Sequence, residues 1–206
     1  MFKLLLITAH PSPVSFNFAL RHAAVARIAA GGGETLTSDL FQMGFGSLAG
    51  EGDFNNYDSA LPMDLMEAQK NAPRHGGFVP QILAEQEKLV AADAVMLQFP
   101  IWWGSYPAPL KGWIDRVLSY GFAYGRSKTL PDKKVLYSVT TGGVSGPEEV
   151  AEYHRRVDAL AEDVFGYLRW EILPPFFAHD PDARSAEQRN TLIREFQDHL
   201  AQHFGI

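Results

Sequence analysis

Three short stretches of the sequence combine residue types that bind ligands. The first contains a histidine, a hydroxyl, an aromatic ring and an amide, from His10, Ser15, Phe16 and Asn17. The second is rich in aromatic rings and consists of Pro100, Ile101, Trp102, Trp103 and Gly104. The third has two hydroxyls followed by two glycines, Thr140, Thr141, Gly142 and Gly143. A helix beginning near Ser15 would add free N–H groups to the hydroxyl, and that combination suits an anion.

Each stretch also has an ordinary structural explanation. Ser15 could cap a helix while His10 is a simple loop histidine. Trp102 and Trp103 could plug the top of the core, where buried tryptophans commonly lie. The Thr-Thr-Gly-Gly run could be a plain exit from a strand into a turn. Whether the three stretches form one site depends on whether the fold brings them together.

Apolar periodicity predicts an alternation of strands and helices. Strands are predicted at residues 3–8, 34–40, 94–99, 135–140 and 170–173. Helices are predicted at residues 17–30, 82–92, 110–118, 148–168 and 183–204. This order predicts an α/β, flavodoxin-like, doubly wound sheet of five parallel strands, in the order 2-1-3-4-5, with helices on both faces.

In that strand order the three stretches lie at the carboxyl ends of strands 1, 3 and 4, which are neighbours. Ligands bind at this edge in open α/β sheets. An aromatic wall, exposed amides and an anion site together suit a planar, polar heteroaromatic ring such as an isoalloxazine. No nucleophile or acid–base pair stands out, which is expected where a cofactor carries the chemistry. His199 and His203 have metal-ligand spacing without a carboxylate motif, so no metal site is predicted.

Composition limits the classes of protein to consider. The 206 residues carry a net charge of −6 and no basic run, which argues against nucleic acid as a partner. The absence of cysteine excludes disulfides, thiolate catalysis and iron–sulfur ligation. No apolar run is long enough to insert into a membrane, and the start of the chain does not have the pattern of a signal peptide. A cytoplasmic protein is therefore expected.

The chain is expected to form one domain over residues 1–206. Residues 44–80 form a long irregular excursion without a sustained period. An excursion of this length inside a compact domain is usually functional or a subunit contact.

Ordered motifs over residues 3–184 resemble the NAD(P)H:quinone oxidoreductase family of the DT-diaphorase type, in its shorter bacterial form. Besides the three stretches above, the matching segments include residues 38–40, 84–86, 98–100, 110–113, 122–124 and 181–184. The resemblance implies a non-covalent flavin and two-electron reduction of quinones by NAD(P)H, with ping-pong kinetics at one shared site. It also implies a homodimer with the site at the subunit interface.

By the same resemblance, the residues of the three stretches would bind the flavin, with Trp103 stacking near its ring. Tyr124 would reach the quinone, and Asp115 and Arg184 match positions near the adenosine part of FAD. FAD is therefore expected, with FMN as the alternative. The family's catalytic tyrosine and histidine have no direct counterpart here, and His154, beside Tyr153, is the candidate for that role.

The sequence departs from the family in two further ways. The long form of the family has a C-terminal extension that this chain lacks, and Arg126 stands where a second family tyrosine is expected. Substrate preference is therefore open. The alternatives are an azo- or nitroreductase using the same flavin, a regulatory flavoprotein bound to a membrane transporter, and an electron-carrier flavodoxin. The last is disfavoured, because a carrier needs no room for two planar substrates.

Overall fold

Apolar strands form the centre of the fold in a computed structural model that describes residues 1–206. The strands are β1 (Lys3–Thr8), β2 (Glu34–Asp39), β3 (Ala94–Pro100), β4 (Lys134–Thr141), β5 (Glu171–Ile172) and β6 (Phe176–His179). All are parallel, in the order β2-β1-β3-β4-β5, with β6 also paired to β4. Every residue of β3 is buried, as expected for a parallel strand covered on both faces. The predicted flavodoxin-like sheet order is confirmed.

The edge beyond β4 differs from the prediction of one strand over residues 170–173. Two short strands share this edge: Val135 pairs with Ile172, and Ser138 pairs with Phe176. Pro174 and Pro175 lie between them and lack the N–H groups that a continuous ladder requires. The prolines therefore split the fifth strand and do not end it, and the prediction missed β6.

Helices cover both faces of the sheet, as predicted. They are α1 (Phe16–Ala30), α2 (Leu65–Lys70), α3 (Pro80–Ala91), α4 (Ala108–Val117), α5 (Pro147–Ala161) and α6 (Ala186–Phe204). Helices α1 and α6 pack on one face, where Leu4 and Leu6 point; α3, α4 and α5 pack on the other, with Leu5 and Ile7. No helix combines the length and the apolar character that a membrane crossing demands.

The helix predicted over residues 148–168 is shorter than expected. Helix α5 ends at Ala161, and a π-helical turn, Glu162–Gly166, follows it. Such a turn leaves backbone carbonyls for other partners. The Leu160 carbonyl accepts a hydrogen bond from the Tyr106 hydroxyl at 2.8 Å, so the end of α5 is tied to the loop that follows β3.

The excursion at residues 44–80 is more ordered than its sequence pattern indicates. It contains α2 and two single helical turns, and it has a small apolar cluster of Phe54, Ala68 and Ala72. A buried ion pair fixes it to the main body, with Arg116 of α4 2.6 Å from Asp53. The Arg116 guanidinium also lies over the Phe45 ring, 4.9 Å from its centroid. The excursion thus packs against α4.

Candidate active site

A cavity of about 400 Å³ opens at the carboxyl ends of β1, β3 and β4. The three ligand-binding stretches of the sequence converge on it. Lining residues from these stretches are His10, Ser15, Phe16, Asn17, Pro100, Ile101, Trp102, Thr140, Thr141 and Gly142. Ser12, Pro181 and Asp182 complete the lining.

Unused hydrogen-bond donors surround the start of α1 at this cavity. The Ser15 hydroxyl is buried and has no hydrogen-bond partner. The backbone N–H groups of Phe16 and Asn17 have no acceptor, as expected for the first turn of a helix. Nδ1 of His10 lies 3.0 Å from the Ser12 N–H nitrogen and 3.1 Å from the Ser12 carbonyl oxygen, so the ring is held against the backbone of this loop. These groups fit the phosphate of a nucleotide cofactor.

A buried network of amides and a hydroxyl lies below the cavity. Nδ2 of Asn17 donates to Oγ1 of Thr140 at 2.8 Å, and Nε2 of Gln98 donates to Oδ1 of Asn17 at 2.9 Å. The Asn17 side chain is therefore committed to joining α1, β3 and β4. Its backbone N–H is the group that is available to a ligand.

The aromatic stretch after β3 forms a tight turn in which two consecutive residues have positive φ. Trp102 and Ser105 exchange both backbone hydrogen bonds, at 3.0 and 3.1 Å. Between them Trp103 has φ 51° and Gly104 has φ 72°, the pattern of a type I′ turn. Trp102 lines the cavity, with its ring centroid 6.5 Å from that of His10. Trp103 is fully exposed at the tip of the turn and lies outside the cavity.

The strand end at Thr141 offers further free donors. The N–H groups of Gly142 and Gly143 have no acceptor. A side chain on Gly142 would meet no atom within 4 Å, so a ligand edge has room to approach. One cavity is thus bordered by an aromatic wall, an anion site and free backbone amides. The residues that form these three features fit a bound flavin.

Comparison with known proteins identifies the family to which this chain belongs. A family model described as a flavodoxin-like fold matches residues 2–204. NAD(P)H dehydrogenase (quinone) 1 of Rattus norvegicus is 34% identical over 88% of this chain and 72% of that protein. Ribosyldihydronicotinamide dehydrogenase (quinone) of Rattus norvegicus is 32% identical over 96% of this chain and 90% of that protein. The chain belongs to the NAD(P)H:quinone oxidoreductase family of flavodoxin-like proteins.

A solved structure extends the similarity to the whole backbone. The crystal structure of a candidate quinone reductase from Klebsiella pneumoniae superimposes with a TM-score of 0.82 at 32% identity, covering 97% of this chain and 84% of that one. The family assignment made from sequence motifs is therefore confirmed.

Two residues that the family resemblance assigned to the site lie around a second cavity. Asp115 and Tyr124 line an apolar cavity of about 360 Å³ between α2, α4 and the π turn. Asp115 forms an exposed ion pair with Lys111 at 2.6 Å. Burial, followed by the neighbouring Tyr167 and Tyr120, raises the pKa of the Tyr124 hydroxyl. In a single copy of this chain, neither Asp115 nor Tyr124 lines the first cavity.

The other assigned residues, Gly143, His154 and Arg184, do not line the first cavity. His154 is exposed on α5, with its ring stacked on Phe177 at 4.0 Å. Nε of Arg184 donates to the His179 carbonyl at 2.9 Å and so supports the loop that carries Asp182. Gly143 borders the same loop, since a side chain on it would come within 3.7 Å of Asp180.

Sequence reasoning did not consider His179, and it gave Pro181 and Asp182 no role in the site although residues 181–184 were among the segments that match the family. The sequence held a signal, because the aromatic pair Phe176-Phe177 favours a strand and a loop containing Pro181 follows it. The two prolines before Phe176 concealed it by appearing to end the strand.

Proposed function

We propose that this chain is a flavin-dependent NAD(P)H:quinone oxidoreductase. The observation that carries the proposal is the cavity at the carboxyl ends of β1, β3 and β4. It joins the unpartnered Ser15 hydroxyl and free helix N–H groups to an aromatic wall and free strand-end amides. The names of the relatives that are about a third identical support a quinone as the electron acceptor.

A bound flavin would accept hydride from NAD(P)H and donate it to a quinone. The protein's contribution is binding, orientation and electrostatic stabilisation. Trp102 provides a flat wall against a ring. The N–H groups of Gly142 and Gly143, which have no acceptor in the chain, would stabilise negative charge at the edge of the ring.

We propose FAD as the flavin, with FMN as the alternative. The support is the match of Asp115 and Arg184 to positions near the adenosine of FAD in the family. Arg184 holds the loop of Pro181 and Asp182, which lines the cavity.

We further propose that two chains complete the site as a homodimer. Tyr124 and Asp115 line a different cavity from Trp102 and His10, so they reach a shared site when they come from a second copy. Fully exposed Trp103 on a positive-φ turn supports this arrangement, since an exposed large apolar side chain in a costly conformation usually has a binding role.

The decisive experiment is the absorbance spectrum of the purified protein, followed by chromatography of the cofactor released by heat. We expect flavin bands, FAD as the released species, and menadione reduction with NADH or NADPH in ping-pong kinetics. A protein that is colourless and takes up no added flavin would refute the enzyme assignment. Release of FMN would keep the reaction and refute the adenosine roles of Asp115 and Arg184. Light scattering tests the homodimer, and cell fractionation tests a cytoplasmic location.

A further inference from the structure

His179 lies directly behind the amides at the end of β4. Strand β6 places His179 opposite Thr141 in the parallel ladder. Nδ1 of His179 lies 3.0 Å from the Thr141 hydroxyl oxygen. The same hydroxyl donates to the Gly142 carbonyl at 3.0 Å. A continuous chain of hydrogen bonds therefore leads from the imidazole to the backbone at the cavity.

The direction of this chain follows from the number of protons. A hydroxyl has one proton, and the Thr141 proton is directed to the Gly142 carbonyl. With the Thr141 proton on the Gly142 carbonyl, Thr141 accepts a hydrogen bond from Nδ1–H of His179, and Nε2 of the neutral ring is then an unprotonated acceptor; the other tautomer would draw that proton to Nδ1 and leave the carbonyl without it. Nε2 is buried without a partner. Burial, followed by the charges of His154 and Arg184, lowers the pKa of His179 from 6.5, which keeps the ring neutral at pH 7.

We propose that His179 is a positioning residue which, through the Thr141 hydroxyl, fixes the orientation of the peptide between Gly142 and Gly143. The carbonyl of Gly142 and the N–H of Gly143 belong to one planar trans peptide and point in opposite directions. Holding the carbonyl toward Thr141 therefore holds the Gly143 N–H away from it. No side chain restrains Gly142 otherwise, since the space around its missing Cβ is empty.

The ring of His179 is itself held by aromatic neighbours. Phe177 lies parallel to it at 11° with centroids 5.3 Å apart, and His154 and Tyr153 contact it from α5 at 5.9 and 6.3 Å. An imidazole packed in this way keeps one orientation, so the hydrogen bond to Thr141 is preorganised. The Gly143 N–H, which has no acceptor in the chain, is thereby kept as a donor for a ligand.

This inference rests on the proposed function, but its first test needs no turnover. Nitrogen-15 NMR of the histidine rings, assigned with a His179→Phe variant, reports which ring nitrogen carries the proton at pH 7. We expect His179 protonated on Nδ1 and bare on Nε2. Protonation on Nε2 would overturn the proposal, because the ring could not then donate to Thr141.

The second test is the midpoint potential of the flavin in the holoenzyme. His179→Phe keeps a flat ring and removes the donor. We expect the protein's preference for reduced over oxidised flavin to fall by about three- to tenfold, the value of one neutral hydrogen bond. For a two-electron couple, this change lowers the midpoint potential by about 15–30 mV. His179→Asn, which restores a donor near Nδ1, should return the potential to the wild-type value.

Two further variants separate a positioning role of His179 from a general disturbance of the fold. Thr141→Val should lower the potential as His179→Phe does, and the double variant should equal Thr141→Val, because both changes break one chain of bonds. His199→Phe is the matched control, since His199 contacts Phe176 of β6 from the opposite face of the sheet and should leave the potential unchanged. If His179→Phe does not fold, Thr141→Val still tests the effect on the potential, and His179→Asn supplies the assignment for the NMR measurement.

The outcomes distinguish this inference from the proposed function. Wild-type protein that binds flavin and reduces quinones, with an unchanged potential in His179→Phe and Thr141→Val, would refute the positioning role alone. Wild-type protein that takes up no flavin would refute both.

Discussion

The Asn17 amide donates to the Thr140 hydroxyl across 2.8 Å, between residues far apart in sequence. This bond ties the start of α1, where a phosphate would bind, to the end of β4, where a ring edge would lie. Gln98 of β3 completes the connection through its own amide. The two halves of the candidate site are thus held at a fixed separation from below.

Thr140→Val should destabilise the fold, since it leaves the buried Asn17 amide without its acceptor. We expect the free energy of unfolding to fall by about 1–3 kcal/mol, the cost of an unsatisfied buried donor. Urea denaturation measures the change. Thr35→Val is the matched control, because the Thr35 hydroxyl on β2 is also buried but has no partner to lose. Equal effects of the two substitutions would contradict the role of the network.

Asp53→Ala should be among the most destabilising single changes in the chain. It leaves the Arg116 guanidinium buried without its counter-ion, and loss of one member of a buried pair costs about 3–5 kcal/mol. Lys111→Ala breaks an exposed pair on the same helix, and we expect about 0–1 kcal/mol. Denaturation gives both values. Native-state hydrogen exchange should then show faster exchange in residues 44–80 of Asp53→Ala.

Trp103→Asn should stabilise the protein and impair its activity. Asparagine followed by glycine is the preferred pair for a type I′ turn, and it relieves the positive φ that tryptophan adopts. We expect the free energy of unfolding to rise by about 1 kcal/mol. Retention of flavin and quinone turnover should fall, because the exposed indole is lost. A gain in stability with full retention of flavin and turnover would argue that Trp103 has no binding role.

Acid should destabilise the fold through two histidines. Burial is the main cause that lowers the pKa of both His179 and His199 from 6.5 in the folded chain. As pH falls below 6.5, the unfolded state takes up protons that the native rings resist, so the free energy of unfolding decreases. His199→Gln should reduce the slope of stability against pH in this range. An unchanged slope would show that His199 titrates alike in both states.

Much of the fold could be predicted because its signals are local. The strand at residues 3–8 is a nearly continuous apolar run, and β1 has the predicted bounds, Lys3–Thr8. The convergence of the three loops then followed from sheet order alone. Where the signal was not local, prediction failed. Nothing around Asp53 indicates a partner on α4, since the burial of that pair is created by tertiary packing.

In the candidate site, too, local signals could be predicted and features created by tertiary packing could not. The lining of the first cavity was largely foreseen, because its residues end strands that are easy to recognise. His179 was missed because Pro174 and Pro175 interrupt its strand. The position of Trp103 outside the cavity depends on the handedness of a turn, which hydrophobic pattern does not encode. That Asp115 and Tyr124 lie together around a second cavity could be learned only from the packing of α2 and α4.

The interrupted edge beside β4 has a consequence for association. An uninterrupted outer strand presents a row of backbone donors that can recruit a strand from another molecule. Here Pro174 and Pro175 supply no such donors, and the pieces on either side have two and four residues. This border cannot seed an intermolecular β-sheet. Any contact that another molecule makes along this border must therefore use side chains, whereas β2 at the opposite edge of the sheet is an uninterrupted strand of six residues.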